Sequence, residues 1–83
     1  MLVRYFGAAQ AAAGVAEERL GLGGVPFAAV LEEIRDLHPD GEPSMSRVLE
    51  RSSFLLNEVS LRDRATVIGG EDVLDVLPPF AGG

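Results

Sequence analysis

The stretch Val73-Leu74-Asp75-Val76-Leu77-Pro78-Pro79-Phe80-Ala81-Gly82-Gly83 decides how the rest of the chain is read. Leu74 and Val76 alternate with Asp75 and Leu77, the pattern of a strand that turns one face to a core. Pro78 and Pro79 fix φ and lack amide donors, so the chain has to leave the sheet there in an extended, polyproline-like course. From Pro78 onward the remaining residues reach roughly 15–19 Å, at about 3.1 Å each. Gly82 and Gly83 carry no Cβ and make the thinnest thread a polypeptide offers to a narrow tunnel. Residues 1–77 are thus expected to form the folded domain. Residues 78–83 are expected to form a flexible extended tail that places the Gly83 carboxylate in another protein's active site. A frayed end is the competing reading, because small residues are tolerated at termini. The strand and the proline pair directly before the glycines favour the first.

Composition narrows the rest. Eighty-three residues make one domain, and an apolar share of 47% is enough for one core. There is no cysteine, so disulfides and thiolate metal sites are excluded, and no metal centre is expected. Thirteen acids stand against seven arginines and no lysine, a net charge of −6. Nucleic acid is disfavoured, since binding it relies on a basic stripe. A basic protein partner fits the charge better. No apolar run approaches membrane-spanning length and no charged-then-apolar leader opens the chain, so a cytoplasmic protein with no membrane partner is expected.

Working back from the final strand, Met1 to Phe6 alternates as a first strand: Met1, Val3 and Tyr5 face one way, Leu2, Arg4 and Phe6 the other. Gly7 ends it. Ala8 to Gly14 has room for a helical turn without a clear apolar stripe. Glu17 to Leu22 reads as a second strand paired with the first. The clearest helix runs from Pro26 to Leu37, with Phe27, Val30, Leu31, Ile34 and Leu37 on one face and Pro26 at the first helical position. It lacks a Ser, Thr or Asp cap. A shorter helix carries Met45, Val48 and Leu49, with Ser44 as candidate cap. Ser53 to Asn57 is a strand that turns at Asn57-Glu58, and Val59 to Leu61 a short strand after it. Arg62 to Gly70 is polar, with Val67 and Ile68 as isolated apolar anchors. These elements give an α+β fold: a β-grasp, or ubiquitin-like, roll in which a mixed sheet packs on one main helix with a second short helix. First and last strands side by side would leave the tail free at one edge of the sheet.

No catalytic constellation emerges. His38, at the end of the main helix, reads as a cap or a solvated residue. Ser44, Ser46, Ser52, Ser53 and Ser60 have no supporting base, and Gly21 to Gly24 lacks the spacing and the lysine of a phosphate loop. Glu17-Glu18, Glu32-Glu33 and Glu71-Asp72 read as solvated faces. No catalytic residues beyond the terminus itself are expected.

Three segments carry a resemblance. Phe54-Leu55-Leu56-Asn57, Gly70-Glu71-Asp72-Val73 and Leu77-Pro78-Pro79-Phe80-Ala81-Gly82-Gly83 are similar to the Asn-ended apolar strand, the acidic turn and the terminal signature of the ubiquitin-like sulfur carriers, the MoaD/ThiS family. The length, the second small helix and the Pro-Pro pair favour its molybdopterin-synthase small-subunit branch over the shorter thiamine-pathway carriers. Glu58 departs from the Gly that often follows Asn in the family, and Gly70 from a frequent acid. The resemblance implies that the Gly83 carboxylate is adenylated by a ubiquitin-activating-type enzyme using ATP and converted to a thiocarboxylate. It also implies that a large catalytic subunit of molybdopterin synthase receives the sulfur for molybdenum cofactor synthesis. Gly83 would carry the sulfur, Gly82 would give clearance, and no cofactor would be permanently bound. A thiamine- or cysteine-pathway carrier, a protein modifier joined through Gly83, and a plain interaction module remain alternatives.

The alternation that turns Leu74 and Val76 inward turns Asp75 and Leu77 outward, along with Arg4 and Phe6. Phe6, Leu77 and Phe80 are then expected to form an apolar docking patch at the tail's root, continued by Pro78, Pro79 and Ala81. Closure of the core's edge by Phe6 and Leu77 is the alternative.

Overall fold

The computed structural model describes residues 1–79, and among them the elements follow in the order β1 (Leu2–Tyr5), α1 (Ala8–Ala13), β2 (Glu17–Arg19), β3 (Val25–Pro26), α2 (Phe27–Leu37), α3 (Met45–Arg51), β4 (Ser53–Leu56), β5 (Val59–Ser60), β6 (Val67–Ile68) and β7 (Val73–Leu77). The main sheet has the order β2-β1-β7-β4-β5, and β3 pairs with β6 as a separate ribbon. The last strand therefore sits in the middle, parallel to β1 and antiparallel to β4, so the tail leaves from a central strand and not, as expected, from one edge of the sheet. This is the β-grasp architecture, with α2 as the main helix and α3 as the short second one. The alanine-rich segment adds a third, α1, through Ala9 and Ala12, which are small enough to be buried flat against their neighbours.

One face of the sheet and the helices close a single core. Val3, Tyr5, Leu74, Val76 and Phe54 come from the sheet; Phe27, Val30, Leu31 and Ile34 from α2; Met45, Val48 and Leu49 from α3. Gly41 lets the loop before α3 lie on α1, because a Cβ there would run into the Ala12 carbonyl.

Several expectations need correction. Pro26 is not the first helical residue: it is extended (φ −68°, ψ 153°) and pairs with Val67 in the β3–β6 ribbon. That pairing also explains why α2 starts without a side-chain cap. The Phe27 and Ala28 amides donate to the Thr66 and Arg64 carbonyls at 2.8 and 3.0 Å, so the loop does the capping. Leu37 is 46% exposed, since it lies about 60° round the helix from Ile34, at the margin of the apolar stripe. Ser44 precedes α3, but its hydroxyl caps nothing. Of the two expected anchors only Ile68 is buried, because alternation within the ribbon turns Val67 to solvent.

His38 caps α2 as expected, but Glu18 is not on a freely solvated face, and both side chains are half-buried. The His38 amide ends α2 on the Ile34 and Arg35 carbonyls, while its Nε2 lies 2.5 Å from Glu18 Oε2. The Tyr5 hydroxyl donates to the same oxygen at 2.5 Å, and the Tyr5 and His38 rings meet edge to face at 5.9 Å. Glu18 pairs opposite Val3 and so shares the core face. Burial, then the bond to Glu18, raises the Tyr5 pKa well above its ordinary 10.0. The stability tied to a neutral Tyr5 is therefore fully present below about pH 10 and lost as pH rises beyond it, when only the unfolded chain ionises readily. Tyr5 is the sole tyrosine, so tyrosinate absorbance reads it alone. At about pH 11 that absorbance should rise only together with loss of the circular-dichroism signal of the fold. Ionisation in a chain that keeps its native spectrum would contradict this environment.

Candidate functional site

The site is built on the face of the sheet that the helices leave uncovered. Parallel pairing brings Arg4 beside Asp75, and antiparallel pairing brings Leu55 to the other side of Asp75. The Phe6 amide donates to the Val76 carbonyl at 3.2 Å, which continues the β1–β7 ladder and sets Phe6 beside Leu77. Gly7 then takes φ +50°, a conformation that lets the chain turn off the sheet directly after Phe6. Phe6 is 42% exposed, Leu77 and Pro78 are half-buried, and Pro79 is exposed. The structure thus sets Phe6 beside Leu77 where β7 ends, and Pro78 and Pro79 follow in the chain. Phe80, Ala81, Gly82 and Gly83 lie outside the described residues.

The centre of this face holds a pair that alternation alone did not reveal. Asp75 points outward as expected, yet it is only 5% exposed. Arg4 covers it with a bidentate bond, Nε to Oδ1 at 2.6 Å and Nη2 to Oδ2 at 2.9 Å. A carboxylate in a central strand, flanked by neighbours on both sides, is desolvated and has to be satisfied by a fixed donor. The bond to Asp75, and then its charge, holds the Arg4 guanidinium above its usual pKa. Leu55 was missed as part of the face. Its signal was present in Phe54-Leu55-Leu56, where Phe54 turns inward and Leu55 out.

At the other end of β7 two of the motif segments meet. The Asn57 Nδ2 donates to Asp72 Oδ1 at 3.0 Å, and the Val73 amide donates to Asn57 Oδ1 at 2.9 Å. Asp72 Oδ2 also accepts the Gly69 amide at 2.6 Å. These bonds, that from Asn57 foremost, hold the Asp72 carboxyl below its ordinary range. The turn between β4 and β5 is thereby latched to the start of β7. Asn57 and Glu58 both take positive φ (49° and 70°), as a tight turn of this kind requires. Glu58 holds the left-handed conformation without the freedom of glycine.

Among the described residues no three His, Asp or Glu side chains gather into a metal-binding group, and no helix is long and apolar enough to cross a membrane. A mixed sheet on one main helix, with a central last strand that runs into Pro-Pro and Gly-Gly, defines a ubiquitin-like domain of the carrier type. The ThiS family model matches residues 3–83, and the chain belongs to this family of ubiquitin-like sulfur carriers. Solved structures agree on the fold. The crystal structure of SAMP1 from Haloferax volcanii matches with a TM-score of 0.80 at 21% identity, covering 99% of this chain and 97% of that one. A Pyrococcus furiosus protein assigned as molybdopterin converting factor subunit 1 matches with a TM-score of 0.75 at 23% identity, covering 95% of each chain. A chain from the complex of subunits 1 and 2 of the molybdopterin-converting factor of Helicobacter pylori matches at 0.62 and 23%, covering 99% of this chain and 96% of that one. No curated protein sequence matches significantly.

The latch gives a direct test. Stability tied to the lowered Asp72 pKa is present above the ordinary carboxylate value and lost as pH falls through the folded one. Asn57→Ala should return the Asp72 pKa towards 3.8 and lower the melting temperature at neutral pH. Carboxyl-carbon NMR titration and thermal melts check both. An Asp72 pKa that stays where it was would mean that Asn57 does not hold it.

Proposed function

We propose that the chain is the small subunit of a molybdopterin synthase, carrying sulfur as a Gly83 thiocarboxylate for dithiolene formation in molybdenum cofactor synthesis. The observation that carries the reading is the seating of β7. A strand fixed on both sides by β1 and β4 ends at Leu77 and hands over to a segment whose last residues are Pro-Pro-Phe-Ala-Gly-Gly. Family membership and the likeness to subunit 1 structures support it.

The chemistry follows from the end group. A carboxylate is a poor electrophile because its leaving group would be oxide. An adenylating partner of the ubiquitin-activating type joins a Gly83 carboxylate oxygen to the α-phosphorus of ATP, and pyrophosphate leaves. Sulfide-level sulfur, as HS⁻, then forms a bond to the acyl carbon, AMP leaves, and loss of the sulfur's proton gives the thiocarboxylate. The large catalytic subunit takes up the same tail; the thiocarboxylate sulfur displaces an oxygen from a carbon of the pterin precursor, and water then cleaves the acyl–sulfur bond and returns the Gly83 carboxylate. The chain's own part is to hold the tail's root still, to offer Gly82 as clearance, and to dock through the face that bears Phe6, Leu77 and Leu55.

Deleting Gly83, or adding one residue after it, should abolish sulfur transfer and leave the melt unchanged. One extended residue moves the carbonyl carbon by about 3 Å, as much as the whole approach distance of the attacking group. Gly82→Val should impair activation through its branched Cβ. Thiocarboxylate formation with the adenylating enzyme and ATP, scored by intact mass, reads both variants. Sulfur delivery at the parent rate without Gly83 would overturn the carrier reading.

The face has its own test. Phe6→Asp should weaken binding of the large subunit by about tenfold or more with the melt little changed, because a charge is left desolvated in the contact. An unfolded variant would place Phe6 in the core, and unchanged binding would remove it from the interface.

A further inference from the structure

The end of the sheet from which the tail leaves carries a second feature. Ser53 pairs with Leu77, and beside it opens a pocket of about 330 Å³ lined by Ser53, Ser60, Arg62 and Arg64 over Phe27 and Phe54. The two rings meet edge to face at 4.9 Å and form a nearly buried floor. The backbone that bears the arginines is fixed on both sides. The Leu61 amide donates to the Phe54 carbonyl at 2.9 Å, and the Arg64 carbonyl accepts the Ala28 amide at 3.0 Å. Asp63, between the arginines, uses its Oδ1 to accept the Ala65 amide at 2.9 Å. Among the described residues the ion pairs are Arg4–Asp75 and His38–Glu18, so Arg62 and Arg64 stand unpaired.

We propose that this pocket receives a carboxylate side chain of the protein that takes up the tail. Three observations converge on an acidic protein segment. In a chain of net charge −6, Arg62 and Arg64, which form no ion pair among the described residues, stand with two hydroxyls as a local cluster of positive charge. Guanidinium groups match carboxylates bidentately, and an apolar floor strengthens such a bond. The pocket also lies at the end of β7, where the described part of the tail begins. Ser53, which lines the pocket, pairs with Leu77, so the pocket lies beside the strand end that a protein taking up the tail has to approach. The pair then sets register: it fixes how far along the tail the partner sits, and its attraction fades with salt.

The identity of the partner rests on the carrier reading, but the test reads the pocket alone. Nitrogen-edited NMR spectra of the full chain are recorded with a capped five-residue peptide rich in Glu and Asp. The amides of Ser53, Ser60, Arg62 and Arg64 should shift saturably, with a Kd in about the millimolar range. Added salt should weaken the response, and Arg62→Gln/Arg64→Gln should abolish it with the rest of the spectrum unchanged. Inorganic phosphate is the second arm. Equal or larger shifts with phosphate at these amides would make it a small-anion site and overturn the proposal. The third arm is the chain ended after Pro79. Tighter peptide binding there would mean that the chain's own tail occupies the pocket, which also overturns it. So would peptide shifts that are absent, or that survive in the double variant. None of these outcomes touches the Gly83 chemistry, and a failure of that chemistry leaves the titration as it was.

Discussion

The parallel pairing of β1 with β7 is the constraint on which the rest of the structure depends. It joins residues 71 positions apart, as in the Arg4–Asp75 bond, so everything between them is one long crossover that has to return α2 to the same face of the sheet. The last strand is thereby placed at the centre of the sheet, with a neighbour on each side. A tail that starts from a central strand inherits a rigid base; one that starts from an edge strand would inherit a frayed one. Pro78 then adds direction, because it cannot continue the ladder.

The polar groups of the sheet are arranged around that pairing. On the open face Arg4 satisfies Asp75, and on the core face Glu18 gathers the Tyr5 hydroxyl and His38. At the start of β7 Asn57 ties Asp72 and the Val73 amide together. Among the described residues no buried side-chain nitrogen or oxygen lacks a partner. Of these groups Asp75 is the buried charge: its pair adds little over an apolar residue, but loss of Arg4 would leave a carboxylate that nothing solvates. The pair specifies register more than it adds stability: a one-residue slip of β7 would separate Asp75 from Arg4 and turn Leu74 and Val76 out of the core.

The elements most legible in the sequence are those with a repeating signal of their own. The alternation of Val73 to Leu77 and the stripe from Phe27 to Ile34 both stand in the structure. Phe6 and Leu77 were legible as outward neighbours for the same reason. What was not legible depends on a distant partner. Asp75 reads as solvated until Arg4 is laid beside it, and Glu18 reads as solvated until Tyr5 and His38 arrive. Two residues, Val67 and Ile68, are too few to show a period, so their ribbon with β3, and with it the true role of Pro26, could not be read. Asn57 and Asp72 were each part of a quoted motif, yet the bond between them spans 15 positions and no local pattern encodes it.

Because the proposed chemistry is carried by the terminal carboxyl group, the decisive observation lies at Gly83. The most direct measurement is the intact mass, followed by fragmentation, of the chain isolated from cells that also hold the proposed adenylating enzyme. A sulfur carrier shows replacement of one oxygen by sulfur, confined to the carboxyl group of Gly83. An unchanged end, or a Gly-Gly remnant on lysines of other proteins in its place, would contradict it.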